Sequence, residues 1–137
     1  KALYTYILDQ YQSSLDMFQD ECLGKSKTPD YNILKDIVQS PYDTKKNGEQ
    51  IFKTAFEKAA VLFALIFKHK PFQRKNLSTA LATVEVFLEL HGYYCDLKND
   101  PVDKMCSMVQ KSTNVSQVSS KISKILMKIV KSKQGLN

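Results

Sequence analysis

The residues best suited to chemistry lie together in Phe67-Lys-His-Lys-Pro-Phe-Gln-Arg-Lys-Asn-Leu-Ser-Thr-Ala-Leu81. A polar loop from Pro71 to Asn76 opens directly into a helical pattern. The first turn of a helix leaves several backbone N–H groups without internal acceptors and carries the positive end of the helix dipole, so such a loop suits an anion. Arg74, Lys75 and Asn76 add side-chain donors at the same point, which makes a phosphate group the ligand expected there. No GxxxxGK[ST], CxxC or HExxH pattern offers a competing site. His91, just before Gly92, has the ordinary explanation of a cation at a helix end.

Two long helices must hold this loop. Before it, residues 50–70 carry Phe52, Ala55, Phe56, Ala59, Ala60, Phe63, Ile66 and Phe67 on one broad face, with Val61, Leu62 and Leu65 extending it, so this helix is expected at the centre. After it, residues 77–91 place Ala80, Leu81, Val84, Phe87, Leu88 and Leu90 inward, with Gly92 where a left-handed cap is wanted. A first helix is read from Leu3, Tyr4, Ile7, Leu8, Tyr11, Leu15 and Phe18. Thr28-Pro29-Asp30 opens a second, which Ser40-Pro41 stops. Residues 41–50 form a polar loop whose Asn47-Gly48 pair predicts a small two-stranded flap. Asn99-Asp100-Pro101 begins a further helix through about Lys111. Asn114 caps the last, with Gln117 in capping-box position. The expected fold class is all-α: a single domain over residues 1–137, a bundle of about six helices with the flap at 41–50. Because the chain starts with Lys1, it is expected to be part of a longer protein.

Composition bounds the function. In 137 residues, 43% are hydrophobic and 25% charged, an ordinary globular mix. No apolar run approaches the roughly 18 residues a membrane span needs. Three scattered cysteines, Cys22, Cys95 and Cys106, fit a reducing cytoplasm better than a disulfide framework or a cysteine zinc site. Lys1 to Asp20 carries acids and tyrosines where a secretory signal has an apolar core. The net charge of +6 is uneven, since residues 104–137 hold seven Lys and no acid. Lys121, Lys124, Lys128 and Lys131 are read on the outer face of the last helix, a surface for an acidic protein or nucleic acid. A merely solvated face is favoured over nucleic acid, because Arg and aromatic residues are absent there.

The chain also resembles a known family. Ala55-Phe56-Glu57-Lys58-Ala59-Ala60, Lys70-Pro71-Phe72, Asn76, Thr79-Ala80-Leu81 and Phe87-Leu88-Glu89-Leu90-His91-Gly92-Tyr93 are similar to the Fic/Doc superfamily, the death-on-curing (Doc) branch above all. That family's motif is H-P-F-x-D-G-N-K-R-T-A. The resemblance covers about residues 30–110, and Leu34 to Pro41 resembles the segment before the family's substrate-binding flap. It implies transfer of AMP or phosphate from a nucleotide to a protein hydroxyl, with magnesium as cofactor, and an antitoxin-like partner or phage-defence setting. It assigns nucleotide or phosphate contact to Phe72, Arg74, Lys75, Asn76, Ser78 and Thr79. The motif's His falls on Lys70, with His69 one residue earlier; these are the candidate bases. The motif's acid falls on Arg74, its Gly on Lys75 and its Arg on Ser78.

Those departures weigh against transfer. A lysine amine titrates near about 10.4 and is a poor base unless its charge is suppressed. Neighbouring Lys68, Arg74 and Lys75 act in that direction, but an open loop screens them. Arg74 in place of the acid removes the magnesium ligand, and Ser78 removes a bidentate phosphate clamp. The expected function is therefore a catalytically impaired Fic/Doc-like module that binds phosphate, a nucleotide or a protein.

Overall fold

In a computed structural model of the chain, residues 5–7, 9, 30–72, 75–97 and 100–132 are described. Helices carry the fold: α1 (Tyr31–Gln39), a 3-10 turn (Ser40–Tyr42), α2 (Ala55–His69), α3 (Asn76–Leu90), α4 (Asp100–Lys111) and α5 (Val115–Ile129). Two short strands, β1 (Tyr93–Tyr94) and β2 (Lys131–Ser132), pair antiparallel, Tyr93 opposite Ser132. Residues 5–7 and 9 are helical and bring Ile7 into the core. The rest of the predicted first helix, Pro29, Cys22 and the tail after Ser132 lie outside the described residues.

Helix α2 is the axis of the bundle. Six successive residues, Ala59 to Ala64, are at most 1% exposed, and steps of about 100° carry six residues fully round a helix. A helix that is apolar on every side must be surrounded. Helices α3 and α5 cover it most extensively, with α1 and α4 completing the wall. Ala59, Ala60 and Ala64 keep its surface low, while Leu62, Phe63 and Ile66 fill the space between helices.

The periodicity of residues 50–70 predicts a longer α2 than forms. Thr54 ends it, because its hydroxyl accepts from the Glu57 N–H at 3.0 Å and the Glu57 carboxylate accepts in return from the Thr54 N–H at 3.4 Å. This reciprocal capping box fixes the helix start. The residues before it are folded back and tied by Lys58. That side chain is only 8% exposed, and its Nζ donates to Gln50 Oε1 at 3.0 Å, to the Lys53 carbonyl at 3.3 Å and to the Phe52 carbonyl. The predicted flap exists in reduced form. Thr44 and Gln50 make one antiparallel bridge around a turn in which Gly48 has φ +88°, a backbone that favours glycine.

Other element ends also have local causes. The Asp30 carboxylate caps α1 at the Ile33 N–H, 3.1 Å away. Asn114 Oδ1 caps α5 at the Gln117 N–H, 3.0 Å. The Asn114 N–H goes to Ser112 Oγ at 3.1 Å, which supplies the second half of the cap expected from Gln117. Gly92 takes φ +89° after α3, as its position predicts. Helix α5 stops at Ile129, two residues before the lysine pattern ends, because Val130 is extended and Lys131 enters β2. Lys131 is therefore not on the helix face assigned to it from periodicity.

Candidate functional site

The α2–α3 junction is a tight loop with two non-glycine residues in the left-handed region. Lys70 ends α2 at φ 49°, and Lys75 precedes α3 at φ 61°. Such conformations disfavour side chains by roughly 1–2 kcal/mol, so other contacts must hold them. Two contacts are visible. The Pro71 carbonyl accepts from the Asp30 N–H at 2.7 Å, which pins the loop to the start of α1. The Asn76 carboxamide turns back across the loop: its Oδ1 accepts from the Phe72 N–H at 3.0 Å and its Nδ2 donates to the Phe72 carbonyl. Both ends of the amide are thus engaged by one backbone unit.

The candidate residues divide on this geometry. Phe72 is 1% exposed and packs into the core, so its ring meets no solvent. Thr79 is equally buried, and among the described residues its hydroxyl has no hydrogen-bond partner; Ser78 is exposed. Lys75 is half-buried, whereas Arg74 lies outside the described residues. His69 and Lys70 are both exposed at the end of α2. The structure does not gather Phe72, Asn76, Ser78 and Thr79 around one point open to solvent.

It does gather another set. Lys68 and Lys70 share a cavity of about 250 Å³ with Phe67, Val109, Gln110 and Ser112. The far wall comes from the end of α4 and the turn into α5, some forty residues along the chain. Only Lys70 of this set is a residue the sequence selects; no local pattern at 109–112 marks the wall.

A magnesium ion does not fit the residues present. No Asp or Glu occurs from Lys58 to Val84. Among the described residues, no three His, Cys, Asp or Glu side chains come together as a ligand set. A hard divalent cation needs several oxygen ligands, and the Asp30 carboxylate, placed at this loop by its N–H bond to the Pro71 carbonyl, already caps α1 at the Ile33 N–H.

At the other end of α2, Glu85, Glu89, Tyr93, Tyr94, Cys95 and Asp96 line a smaller cavity of about 190 Å³. Tyr93 is tilted against Phe56 with ring centroids 4.8 Å apart, while the Glu85 carboxylate holds the Leu97 N–H at 3.1 Å. Burial, then the charges of Glu85 and Asp96, push the Cys95 thiol up to about 12, so it stays protonated and unreactive at neutral pH. Burial followed by Asp103 raises Cys106 as well, and burial followed by Glu85 and Glu89 raises Tyr6. His91 stacks on Phe87 at 4.5 Å and its Nδ1 lies 2.8 Å from the Phe87 carbonyl, a fixed helix end rather than a free base.

Lys121, Lys124 and Lys128 are exposed along one stripe of α5. No helix among the described residues is long and apolar enough to cross a membrane. No family model matches this chain, and neither the curated proteins nor the solved structures contain a match.

Proposed function

We propose that the chain is a divergent Fic/Doc-like domain that has exchanged group transfer for binding, and that it engages an acidic partner protein at the loop end of its bundle. The observation that carries this reading is the closure of Asn76 onto Phe72. In active members of the family the Asn is a phosphate ligand; here its amide is engaged by its own loop. Three further points support it. The family's glycine position, Lys75, keeps the left-handed backbone a glycine would take. The flap lies upstream, in the order the family has. The motif's acid and Arg are replaced by Arg74 and Ser78. The resemblance suggests a toxin–antitoxin or phage-defence setting for such a module.

The test is label transfer. The chain, radiolabelled ATP, Mg²⁺ and a cell lysate are expected to give no labelled protein beyond that of a His69→Ala/Lys70→Ala double variant. A labelled band that disappears in the double variant would restore the transferase reading.

A second reading concerns α5. Lys121, Lys124 and Lys128 stand within one exposed stripe, and residues 104–137 hold no acid to offset them. Nucleic-acid binding through three such contacts requires log K to fall with log salt at a slope near −2.7. Lys121→Glu with Lys128→Glu should flatten that slope, whereas flat, weak binding at every salt concentration would eliminate the reading.

A further inference from the structure

The cavity between the ends of α2 and α4 has a sign, a size and a chemistry. Lys68 and Lys70, both exposed, line it, and neither has an acidic partner among the described residues. Its lining residues stand at the C-terminal ends of α2 and α4, where lysines complement the negative end of a helix dipole. Lys111, between Gln110 and Ser112 in sequence, is exposed but does not line the cavity. The lining holds two cations and no acid, and a dianion gains about twice the attraction of a single carboxylate from them.

Size narrows the ligand. About 250 Å³ lies below the roughly 300–1,000 Å³ of pockets that enclose a drug-sized molecule, so the cavity admits one group rather than a whole nucleotide. The wall then assigns contacts. The amide of exposed Gln110 offers an N–H donor to a tetrahedral anion. Ser112 Oγ donates to the Asn114 carbonyl at 3.0 Å and accepts from the Asn114 N–H at 3.1 Å, so its one proton is already used and it serves as wall rather than as a donor to the anion. Phe67, which stacks on Phe63 at 5.8 Å, and Val109 supply an apolar floor suited to the carbon that bears a phosphate ester.

We propose that this cavity, lined by Phe67, Lys68, Lys70, Val109, Gln110 and Ser112, binds a phosphate monoester, and that its source is a phosphorylated side chain of the partner protein. The partner part rests on the non-catalytic binding reading given above; the phosphate part rests on the cavity. Lys68 and Lys70 hold the charge, and Gln110 orients the oxygens. The site differs from the N-terminus of α3, where the Asn76 amide is turned to its own loop.

The experiment titrates the 137-residue chain, followed by ¹H–¹⁵N NMR at about pH 7.5, where a phosphate monoester is mostly the dianion. The probes are N-acetyl-O-phosphoserine amide, inorganic phosphate and N-acetylglutamate amide. Saturable shifts are expected at the amides of Lys68, His69, Lys70, Gln110, Lys111 and Ser112. The phosphoserine probe should bind at least tenfold more tightly than the glutamate probe and at least threefold more tightly than inorganic phosphate. Lys68→Ala/Lys70→Ala should weaken it at least tenfold, and Lys68→Arg/Lys70→Arg should keep it within about threefold, since both residues are exposed and the charge is retained. Equal binding of the glutamate probe, shifts confined to Leu77 and Ser78, or an unchanged double Ala variant would overturn the site. Equal binding of inorganic phosphate would overturn the side-chain source. Label transfer, run on the same protein, reads the other claim: transfer would overturn the non-catalytic reading whatever the shifts, and absent shifts without transfer would overturn the cavity alone.

Discussion

Asn76 has a single carboxamide and uses both of its ends on the backbone of Phe72. Residue type alone leaves this open, because an amide that suits a phosphate oxygen suits a backbone carbonyl and N–H equally well. Asn76→Ala removes two hydrogen bonds at a partly buried loop, and each such bond contributes about 1 kcal/mol net. The expected loss is about 1–3 kcal/mol in urea unfolding, with no change in nucleotide affinity; a variant as stable as the parent would remove the structural role. Cys95 makes a second prediction at this scale. Its folded thiol is raised to about 12, so the folded state keeps a proton that the unfolded chain releases near 9. The stabilisation is fully present below the unfolded value and is lost as pH rises through the folded one. Stability measured by urea should therefore fall between about pH 9 and pH 12, Tyr6 adding to the same trend, and Cys95→Ala should flatten part of the fall. A rise in stability over that range would contradict the burial of the thiol.

The elements follow their sequence signals where those signals are local. The apolar faces of α2, α3 and α5, the Asn114 cap and the Gly92 turn are all legible from spacing and residue type. The start of α2 is not, because Ile51 and Phe52 fit the helical period, and only the contest between that period and the Thr54–Glu57 box decides the boundary. The end of α5 escapes for a similar reason: no Gly or Pro marks Val130, and the chain leaves the helix to pair Lys131 with Tyr94, a partner remote in sequence. Lys58 is the least predictable of these features. A lysine on an apolar helix reads as a solvated charge, yet it is buried and satisfied by three oxygens of the segment leading into α2. Hydrogen bonds from a charged donor contribute about 1.5–3 kcal/mol, and leaving such oxygens unpaired costs a comparable amount. Lys58→Ala should lower stability by about 2 kcal/mol and speed amide exchange at Gln50 to Lys53; exchange confined to α2 itself would argue for a packing role instead.

As a whole, the molecule has two differently charged ends on one helical axis. The acidic cavity near Phe56 and Tyr93 and the basic cavity at Phe67 to Lys70 are separated by at least about 16 Å along α2, at 1.5 Å per residue. That is about two screening lengths at physiological salt, so a partner meets the basic end as a surface of its own. The all-α bundle is legible in the sequence because helical periodicity is a local property. The cavity is not, because its two walls come from chain segments that only packing brings together. The loop marked by its charges carries one wall, while Val109 reads only as the apolar face of its helix and Gln110 and Ser112 carry no mark. Whether the loop's groups are already engaged by one another before any ligand arrives decides between a binding domain and a transferase. Amide-proton exchange at Phe72 measures this directly. The N–H should be protected in the free chain, exposed again in Asn76→Ala, and indifferent to Mg²⁺ and ATP. Rapid exchange in the free chain, with protection gained only when nucleotide and metal are added, would mean that the loop is an open phosphate cradle and that the domain is built for transfer.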